Sequence, residues 1–324
     1  MSKRQRLYLN IWDGCNLHCK HCFNYSGKVK NELLSQSEIL RVIENGWEFL
    51  DIKEVQLTGG EPTERPDIFE IIKAVHKRGL KTLLQTNGTF NNNILKEILN
   101  LPDDRLSLII SLDGIETNDF FRGEHATTRT RENIRIIGEE LPIRINTLLS
   151  SMLKWHEVTE LATMAHKQNL TLAFNPVCPS GRSDVSHLMS SQKYFDWMYR
   201  LEELRNQGIK VRKCFDFVDG QMVENENCPV RSGHSVHVAA DGSTYPCGFL
   251  VTNPTCLFGS VKDSSLAELK NKIPSHCKVL AAECLTCDFL KRGYCHGGCP
   301  ARINSLHGRF NAADIYCMAK YFQN

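Results

Sequence analysis

The stretch RLYLNIWDGCNLHCKHC (residues 6–22) joins a short apolar run to three closely spaced cysteines. Residues 6–12 have the alternating-to-apolar pattern of a β-strand, and Cys15, Cys19 and Cys22 follow on the next loop. In parallel α/β folds, the loops that follow the strands carry the functional groups. The stretch therefore predicts the first strand of the fold and, directly behind it, a site built from thiols.

Strand and helix patterns alternate along the chain after this loop. Further strands are predicted at 53–59, 80–88, 105–114, 142–150 and 170–177. Ser35, with Glu38 three residues later, predicts a capping box for the first helix. Six strands alternating with helices indicate a parallel sheet with right-handed crossovers.

A dinucleotide fingerprint of the form G-x-G-x-x-G is absent from the sequence. The expected fold class is therefore α/β, a partial (β/α)6 TIM-like barrel over residues 1–212. A small cysteine-rich C-terminal domain, made of a β-hairpin plus helix and loops, is expected over residues 213–324.

Composition narrows the class of protein. The 324 residues are 41% hydrophobic, with Lys+Arg 39 against Asp+Glu 37 and a net charge of +2. This balance gives no indication of a nucleic-acid partner, and no apolar run is long enough for a membrane span or a signal peptide. We expect a cytoplasmic protein, in which 14 cysteines indicate metal binding rather than disulfides.

The first cysteine loop has the spacing C-x3-C-x2-C and offers no fourth thiol. Three close thiolates suit a [4Fe–4S] cube with one iron left open. Two alternatives remain at this point: structural thiols that are neighbours by chance, and a zinc site completed by His18 or His21.

The same loop resembles the C-x3-C-x-aromatic-C signature of radical SAM enzymes, with His21 in the place of the usual aromatic residue. The resemblance implies that Cys15, Cys19 and Cys22 hold a cube whose open iron binds S-adenosylmethionine (SAM). Reductive cleavage of SAM would then give a 5′-deoxyadenosyl radical that abstracts a hydrogen atom from the substrate.

Later loops match the family in the same order, and the resemblance runs from residue 6 to PSGR at about residue 182. GGEP (59–62) resembles the turn that receives the methionine amine, which implies cofactor-binding roles for Gly59, Gly60 and Glu61. SLDG (111–114) resembles the ribose-binding segment. The implied cofactor-binding residues beyond GGEP are Ser111 and Asp113 for the ribose and Arg122 for the SAM carboxylate.

Each of these residues also has a plain structural interpretation. Gly59 and Gly60 suit a turn with positive φ, and Asp113 suits the cap of the next helix. Arg122 suits a surface ion pair. Asn87, in QTNG, fits a turn as well as it fits a ligand contact.

The C-terminal third contains a second pattern of cysteines. The segment HSVHVAADGSTYPC (234–247) predicts a hairpin with Asp241 and Gly242 at its turn. The segment that begins at Cys284 has the spacing C-x2-C-x7-C-x3-C. Together they resemble the SPASM extension of radical SAM enzymes, which carries two auxiliary [4Fe–4S] clusters, although the family commonly has five residues where seven stand here.

The SPASM resemblance implies two sets of ligands and, with the SAM site, three clusters. Auxiliary cluster I would be held by Cys228, Cys247 and Cys299, with Cys214, Cys256 or an open position as the fourth site. Auxiliary cluster II would be held by Cys284, Cys287, Cys295 and Cys317. A pair of zinc ribbons is the alternative, and it would make the chain a non-enzymatic zinc-binding interaction protein.

Cys178 lies just past the sixth strand, at the predicted mouth of the barrel. A thiol there could give a hydrogen atom to a substrate radical, as an epimerase requires. The alternative is a buried cysteine that acts as a small apolar residue.

SPASM relatives modify ribosomally made peptides by crosslinking, epimerisation or oxidation, so the resemblance implies a peptide maturase. A dehydrogenase or epimerase of a small molecule, such as an aminosugar, is the alternative. The implied partners are a flavodoxin or ferredoxin as electron donor and, because the first strand begins at about residue 6, a separate leader-peptide-binding protein.

Overall fold

A computed structural model describes residues 6–29, 32–101, 104–218, 221–224, 228–232 and 236–322. Its strands are β1 (Arg6–Trp12), β2 (Glu54–Gly59), β3 (Lys81–Thr86), β4 (Leu106–Ser111), β5 (Ile143–Leu149), β6 (Thr171–Pro176), β7 (Val211–Arg212), β8 (Phe215–Val218), β9 (Gln221–Glu224), β10 (His237–Val238) and β11 (Thr244–Tyr245). Nine of these form one open sheet in the order β11-β10-β1-β2-β3-β4-β5-β6-β7, while β8 and β9 form a separate antiparallel hairpin.

Strands β1 to β7 are parallel, and each pairs with its neighbour in the sequence. The first six coincide with the six predicted strands, so the predicted partial TIM-like barrel is confirmed. The short β7 was not predicted, because a strand of two residues has no periodicity for a sequence pattern to reveal.

Helices cover the parallel strands and fill the connections between them. They are α1 (Gln36–Leu50), α2 (Ile68–Lys77), α3 (Asn92–Leu99), α4 (Glu116–Arg122), α5 (Ala126–Ile137), α6 (Trp155–Lys167), α7 (Ser191–Asn206), α8 (Pro229–Ser232), α9 (Leu266–Lys270), α10 (Ala282–Thr286), α11 (Asp288–Lys291), α12 (Pro300–His307) and α13 (Met318–Phe322). Helices α8 to α13 have eight residues or fewer, so the C-terminal third contains little regular structure.

The first helix begins as the sequence predicts. The Ser35 hydroxyl accepts a hydrogen bond from the Glu38 amide, and the Glu38 carboxylate accepts one from the Ser35 amide at 2.8 Å. This capping box satisfies two amides that would otherwise have no partner at the helix start. It directs Ile39 and Ile43 into the core beneath the sheet.

The C-terminal hairpin is also formed as predicted, and it joins the main sheet. Strands β10 and β11 pair around a turn that contains Asp241 and Gly242, while His234 and Ser235 of the predicted segment lie outside the described residues. Strand β10 pairs in parallel with β1. The sheet therefore continues from the barrel into the cysteine-rich segment, and the boundary at residue 212 remains a prediction.

Burial follows from this arrangement. Because β1 lies between β10 and β2, its side chains Leu7, Leu9 and Ile11 are almost completely buried. Within the part of the chain that the structure describes, none of the helices is both long and apolar enough to cross a membrane.

Candidate metal centres

The first cysteine loop leaves the carboxyl end of β1 and is held by backbone hydrogen bonds at several points. The Cys15 amide donates to the Gly27 carbonyl at 3.0 Å, and the Lys20 amide donates to the carbonyl of Phe121 in α4 at 2.9 Å. A tighter turn joins two of the thiols, since the Cys22 amide donates to the Cys19 carbonyl. The loop is therefore a fixed part of the fold, and the three predicted thiols lie together on it.

Thiol spacing separates a single metal ion from a larger group. A zinc–sulfur bond is about 2.3 Å long, so two sulfurs on one ion lie at most about 4.6 Å apart. Among the described residues, the one group of three or more potential ligands whose ligand atoms all lie within 4.8 Å is Cys256, His276 and Cys277. The loop thiols, with or without a histidine, are more widely spaced and fit a multi-iron cluster better than a zinc ion.

Burial and charge affect the thiols in opposite directions. Burial raises the pKa of Cys15 to about 12 and also raises that of Cys19, while the Arg122 guanidinium counteracts the rise at Cys19. A buried thiol gives up its proton readily only when a cation takes its place. These surroundings suit thiols that act as metal ligands.

The GGEP turn at the end of β2 lies directly against the cysteine loop. The Gly60 amide donates to the Trp12 carbonyl at 2.6 Å, and the Glu61 amide donates to the Gly14 carbonyl at 2.8 Å. A Cβ atom at Gly59 would collide with the Trp12 carbonyl, and one at Gly60 with the Gly14 carbonyl. The two glycines are thus required by the close approach of the two loops.

The Glu61 carboxylate is buried and accepts four hydrogen bonds from protein donors. It accepts hydrogen bonds from the Thr63 amide and hydroxyl, from the Thr86 hydroxyl at 2.7 Å and from the Asn87 amide at 2.7 Å. Burial raises its pKa, and these donors act against the rise. Glu61 therefore ties the loops after β2 and β3 together, and its predicted contact with SAM remains a prediction.

Asn87 extends from the β3 loop to the cysteine loop. Its amide nitrogen donates to the Asn16 side-chain oxygen at 2.9 Å and lies 3.9 Å from the Cys15 sulfur. The Asn87 side-chain oxygen also accepts from the amide and hydroxyl of Thr89, as in a polar turn. The turn interpretation is therefore seen in the structure, while contact of Asn87 with a ligand stays a prediction.

Asp113, two residues past β4, is the centre of a buried polar group. Its carboxylate accepts from the Arg122 guanidinium at 2.7 Å, from His21 Nε2 at 2.8 Å and from the Leu148 amide at 3.0 Å. Helix α4 has no side-chain cap, so Asp113 does not serve as the cap of that helix. Arg122 is likewise a buried ion-pair partner and not a surface one.

This group bears on the predicted SAM contacts. Asp113 is completely buried, and the Arg122 side chain is about one-tenth exposed. Ser111 ends β4 and is half-buried beside them. The sequence placed these three residues after the fourth strand, where the structure has them. It did not reveal that Asp113 pairs with Arg122 and accepts a hydrogen bond from His21.

The loop after β6 contacts the cysteine loop from the other side. Arg182 donates from Nε to the Cys19 carbonyl and from its amide to the Cys22 carbonyl, both at 2.9 Å. A cavity of about 470 Å³ lies here, and its lining includes Cys15, Asn16 and Arg182. In the sequence, PSGR only marked the end of the family resemblance, and no contact of Arg182 was predicted from it.

The C-terminal cysteines form two groups. Mutual electrostatic interactions link Cys284 with Cys287 and Cys317, and link Cys295 with Cys317. The Cys295 thiol also donates to the Glu224 carboxylate at 3.3 Å. The four thiols assigned by resemblance to auxiliary cluster II are therefore neighbours.

The second group contains the thiols assigned to auxiliary cluster I. Cys228, Cys247 and Cys299 border one small apolar cluster, and Cys178 is buried within it. Cys178 is thus buried and is not exposed at the barrel mouth. Its role as a hydrogen-atom donor remains a prediction.

A second buried ion pair supports this group. Arg302 in α12 donates to the Asp314 carboxylate at 2.6 and 2.8 Å, and the same carboxylate accepts from the Cys299 amide at 2.7 Å. The Arg302 guanidinium lowers the pKa of Cys299 by stabilising the thiolate, although the hydrogen bond from Cys178 contributes more. Neither Arg302 nor Asp314 belongs to a cysteine motif, so the sequence did not point to them.

Comparison with known proteins gives matches to one superfamily. Residues 9–165 match the Radical SAM superfamily. The AdoMet-dependent heme synthase of Methanosarcina barkeri is 27% identical across 94% of this chain and 93% of its own length. The mycofactocin maturase MftC of Mycobacterium tuberculosis is 31% identical across 57% of this chain and 49% of its own length.

Solved structures extend the likeness to the C-terminal third. Streptococcus suis SuiB bound to precursor peptide SuiA matches 98% of this chain and 76% of its own, with a TM-score of 0.77 and 16% identity. The enzyme anSMEcpe with bound AdoMet matches 98% of this chain and 92% of its own, with a TM-score of 0.75 and 19% identity. At such low identity these matches show a shared fold, and that fold includes the cysteine-rich segment.

Proposed function

We propose that this chain, whose residues 9–165 match the Radical SAM superfamily, is an enzyme of that superfamily and modifies a ribosomally made peptide. The superfamily uses SAM and a [4Fe–4S] cluster, which we assign to Cys15, Cys19 and Cys22. The observation that carries the assignment is the docking of GGEP against the loop that bears the three thiols.

Cluster and SAM together, when bound, supply one-electron cleavage of the sulfonium and a 5′-deoxyadenosyl radical. The protein positions that radical and excludes water from it. Cys15, Cys19 and Cys22 would hold this cluster, and the loop offers no fourth cysteine. Arg122 places a buried positive charge close to Cys19 and Cys22, which offsets the negative charge of the bound thiolates.

Gly59, Gly60 and Glu61 are proposed to line the methionine end of SAM, with Ser111 at the ribose. The loop contacts support a pre-formed edge, because GGEP is hydrogen-bonded to the thiol loop before any ligand binds. Asp113 is proposed to act through Arg122, because its carboxylate fixes the orientation of the guanidinium.

Two auxiliary [4Fe–4S] clusters complete the proposal, which gives three clusters in all. The neighbouring thiols of the two C-terminal groups support this count. As in the first loop, no three thiols of either group lie within 4.8 Å of one another in the part of the chain described.

Peptide modification is the substrate class that we favour. SuiB, which shares the fold over nearly the whole chain, was solved with the precursor peptide SuiA, and MftC is named as a maturase. By analogy, we propose a cytoplasmic enzyme that receives its electron from a flavodoxin or ferredoxin. A separate leader-peptide-binding protein would present the peptide.

A second candidate is oxidation or epimerisation of a small molecule. The heme synthase relative matches this chain along almost its full length, whereas MftC matches only 57% of it. That difference in coverage favours a small substrate such as a tetrapyrrole, alongside the aminosugars considered from the sequence.

Anaerobic turnover separates the two candidates. The reconstituted enzyme would be supplied with SAM and a reductant, and 5′-deoxyadenosine would be measured with three panels: peptides encoded beside its gene, aminosugars and iron tetrapyrroles. Peptide-dependent formation, accompanied by a mass change in the peptide, supports the proposal. Stimulation by a small molecule alone overturns the peptide assignment, and a Cys15→Ala/Cys19→Ala/Cys22→Ala variant gives the background.

A further inference from the structure

We propose that Cys178, from the loop after β6, is the fourth cysteine ligand of the auxiliary cluster assigned to Cys228, Cys247 and Cys299. The existence of that cluster rests on the proposed function. The identity of its fourth ligand rests on the structure, because the cysteine spacing left the position open between Cys214, Cys256 and an open site.

Packing places Cys178 among the three thiols. Its side chain is 5% exposed and belongs to a small apolar cluster, of which Cys228, Cys247 and Cys299 form the border. Within this cluster, the Cys178 thiol is close enough to Cys299 and Cys247 to interact electrostatically with both. Cys228 in turn interacts with Cys299, so that all four sulfurs belong to one group.

The backbone holds Cys178 in this position. Two residues further on, the Ser180 hydroxyl donates to the Phe249 carbonyl at 3.1 Å and lies 3.3 Å from the Thr252 hydroxyl. Phe249 is only two residues past Cys247. The loop after β6 is thus attached to the segment that carries an assigned ligand, and the closeness of the thiols follows from specific contacts.

The two candidates considered from the sequence have other partners. Cys214 is partly buried and packs against the main hydrophobic core, outside the small apolar cluster, although it lies within electrostatic range of Cys299. The Cys256 sulfur lies 3.3 Å from the Cys277 sulfur, and both are completely buried. Cys256 belongs to the same small apolar cluster as Cys178, but its sulfur is paired with Cys277. Among the described residues, Cys178 is therefore the candidate that lies in this cluster without a hydrogen-bonded pairing to a cysteine outside the assigned ligands.

The chemistry of the group fits a cluster ligand. Thiolates are the ligands of iron–sulfur clusters, so binding would release the thiol proton of Cys178. The buried Arg302 guanidinium supplies positive charge beside the group. A thiolate on iron has no S–H hydrogen to give, so this assignment and the hydrogen-donor role of Cys178 exclude each other.

The assignment has a structural consequence for the two metal centres. Four residues after Cys178, Arg182 donates to the carbonyls of Cys19 and Cys22 in the first cysteine loop. One five-residue segment, 178–182, would therefore bind the auxiliary cluster at one end and hold the SAM-site loop at the other. Loss of the Cys178 ligand would be transmitted to the SAM site along this segment.

The test uses the full chain in a Cys15→Ala/Cys19→Ala/Cys22→Ala background, in which only auxiliary clusters can form. Cys178→Ala is compared with Cys214→Ala, a matched change at another buried thiol. Iron and sulfide per chain are measured after anaerobic reconstitution, together with the electron paramagnetic resonance (EPR) spectrum of the reduced protein. We expect Cys178→Ala to lose roughly one to four irons and to change the spectrum, by the composition of a [4Fe–4S] cluster, while Cys214→Ala keeps both.

Cys178→Ser tests the assignment if the alanine variant does not fold. A serine oxygen in place of the thiolate is expected to retain most of the iron and to shift the EPR signal of one cluster. Unchanged iron and spectrum in the Cys178 variants overturn the assignment, as does a loss confined to Cys214→Ala. A background protein without iron overturns the auxiliary clusters of the proposed function themselves, so the two failures are distinguishable.

Discussion

Both cysteine regions contain a buried arginine–aspartate pair, but the two pairs are embedded in different kinds of structure. Asp113 and Arg122 lie at the end of β4 and of α4, inside a sheet of parallel strands. Asp314 and Arg302 lie in a segment whose helices have eight residues or fewer. In each region the guanidinium is close to thiols, with Cys19 near Arg122 and Cys299 near Arg302.

The difference indicates how much each region depends on its metal. The first loop is fixed by hydrogen bonds to neighbouring strand ends, so the sheet positions the thiols before iron binds. The C-terminal region has a small apolar cluster and few backbone ladders. Metal binding supplies folding free energy where the core is small, so we expect the C-terminal region to depend on its clusters and the sheet to be independent of them.

Removal of iron should affect the longest stretch of the chain and should separate the two regions. In protein stripped of iron, amides between residues 284 and 317 are expected to exchange with deuterium at least about tenfold faster, equivalent to about 1.4 kcal/mol of lost protection. Amides of β1 to β6 are expected to keep their protection. Hydrogen-exchange mass spectrometry before and after anaerobic chelation measures this, and equal loss in both regions would remove the distinction.

Substitution of each aspartate tests the ion pairs directly. Asp113→Asn and Asp314→Asn each leave a buried guanidinium without its counter-charge, which costs about 3–5 kcal/mol of unfolding free energy. Denaturant titration measures the loss, and Asp314→Asn should also reduce iron binding because Asp314 holds the Cys299 amide. The control is Glu116→Gln, whose exposed pair with Lys154 should contribute less than about 1 kcal/mol.

Acid should lower the stability of the protein by protonating Asp113, the partner of Arg122. Burial alone would raise the pKa of Asp113, but the Arg122 guanidinium and His21 hold it well below its usual value. A folded-state pKa below the unfolded value of about 3.9 gives stability that is complete above that value and is lost as the pH falls below it. Denaturant titrations of iron-free protein between pH 5 and 3 are expected to show this loss, which should be reduced in Asp113→Asn.

The docking of the two loops gives the smallest expected effect. Gly60→Ala places a methyl group against the Gly14 carbonyl and is expected to cost roughly 1–3 kcal/mol and to lower SAM-site iron. Gly27→Ala is the matched control, because its new methyl would meet only the His18 ring at 3.6 Å. Thermal unfolding and iron analysis of both variants measure the difference, and equal behaviour would contradict the close-approach argument.

How far the sequence could predict the molecule also differs between the two regions. Periodicity located β1 to β6, and the Ser35 and Glu38 spacing located the start of α1, because long regular elements repeat their pattern. The motifs also placed the thiols, GGEP and SLDG at one edge. The pairing of Asp113 with His21 and Arg122 was missed, since contacts between residues distant in the sequence have no local signal.

In the C-terminal region the sequence located the hairpin turn but not its attachment to β1. A two-residue strand such as β10 is defined by its partner, so nothing in its own residues shows that it extends the sheet. Arg302 and Asp314 were missed for the same reason. Cys178 was noticed for its position after β6, whereas its contact with Cys299 depends on tertiary packing.

The most direct test of a SAM-binding cluster on the first loop is the EPR spectrum of the reduced protein with and without SAM. The wild type and the Cys15→Ala/Cys19→Ala/Cys22→Ala variant would be compared after anaerobic reconstitution, with iron, sulfide and zinc measured in parallel. The predicted result is a signal that changes when SAM is added to the wild type and is missing from the variant, which should contain about four fewer irons per chain. Stoichiometric zinc with little iron, or a signal that ignores both SAM and the three substitutions, would contradict the account.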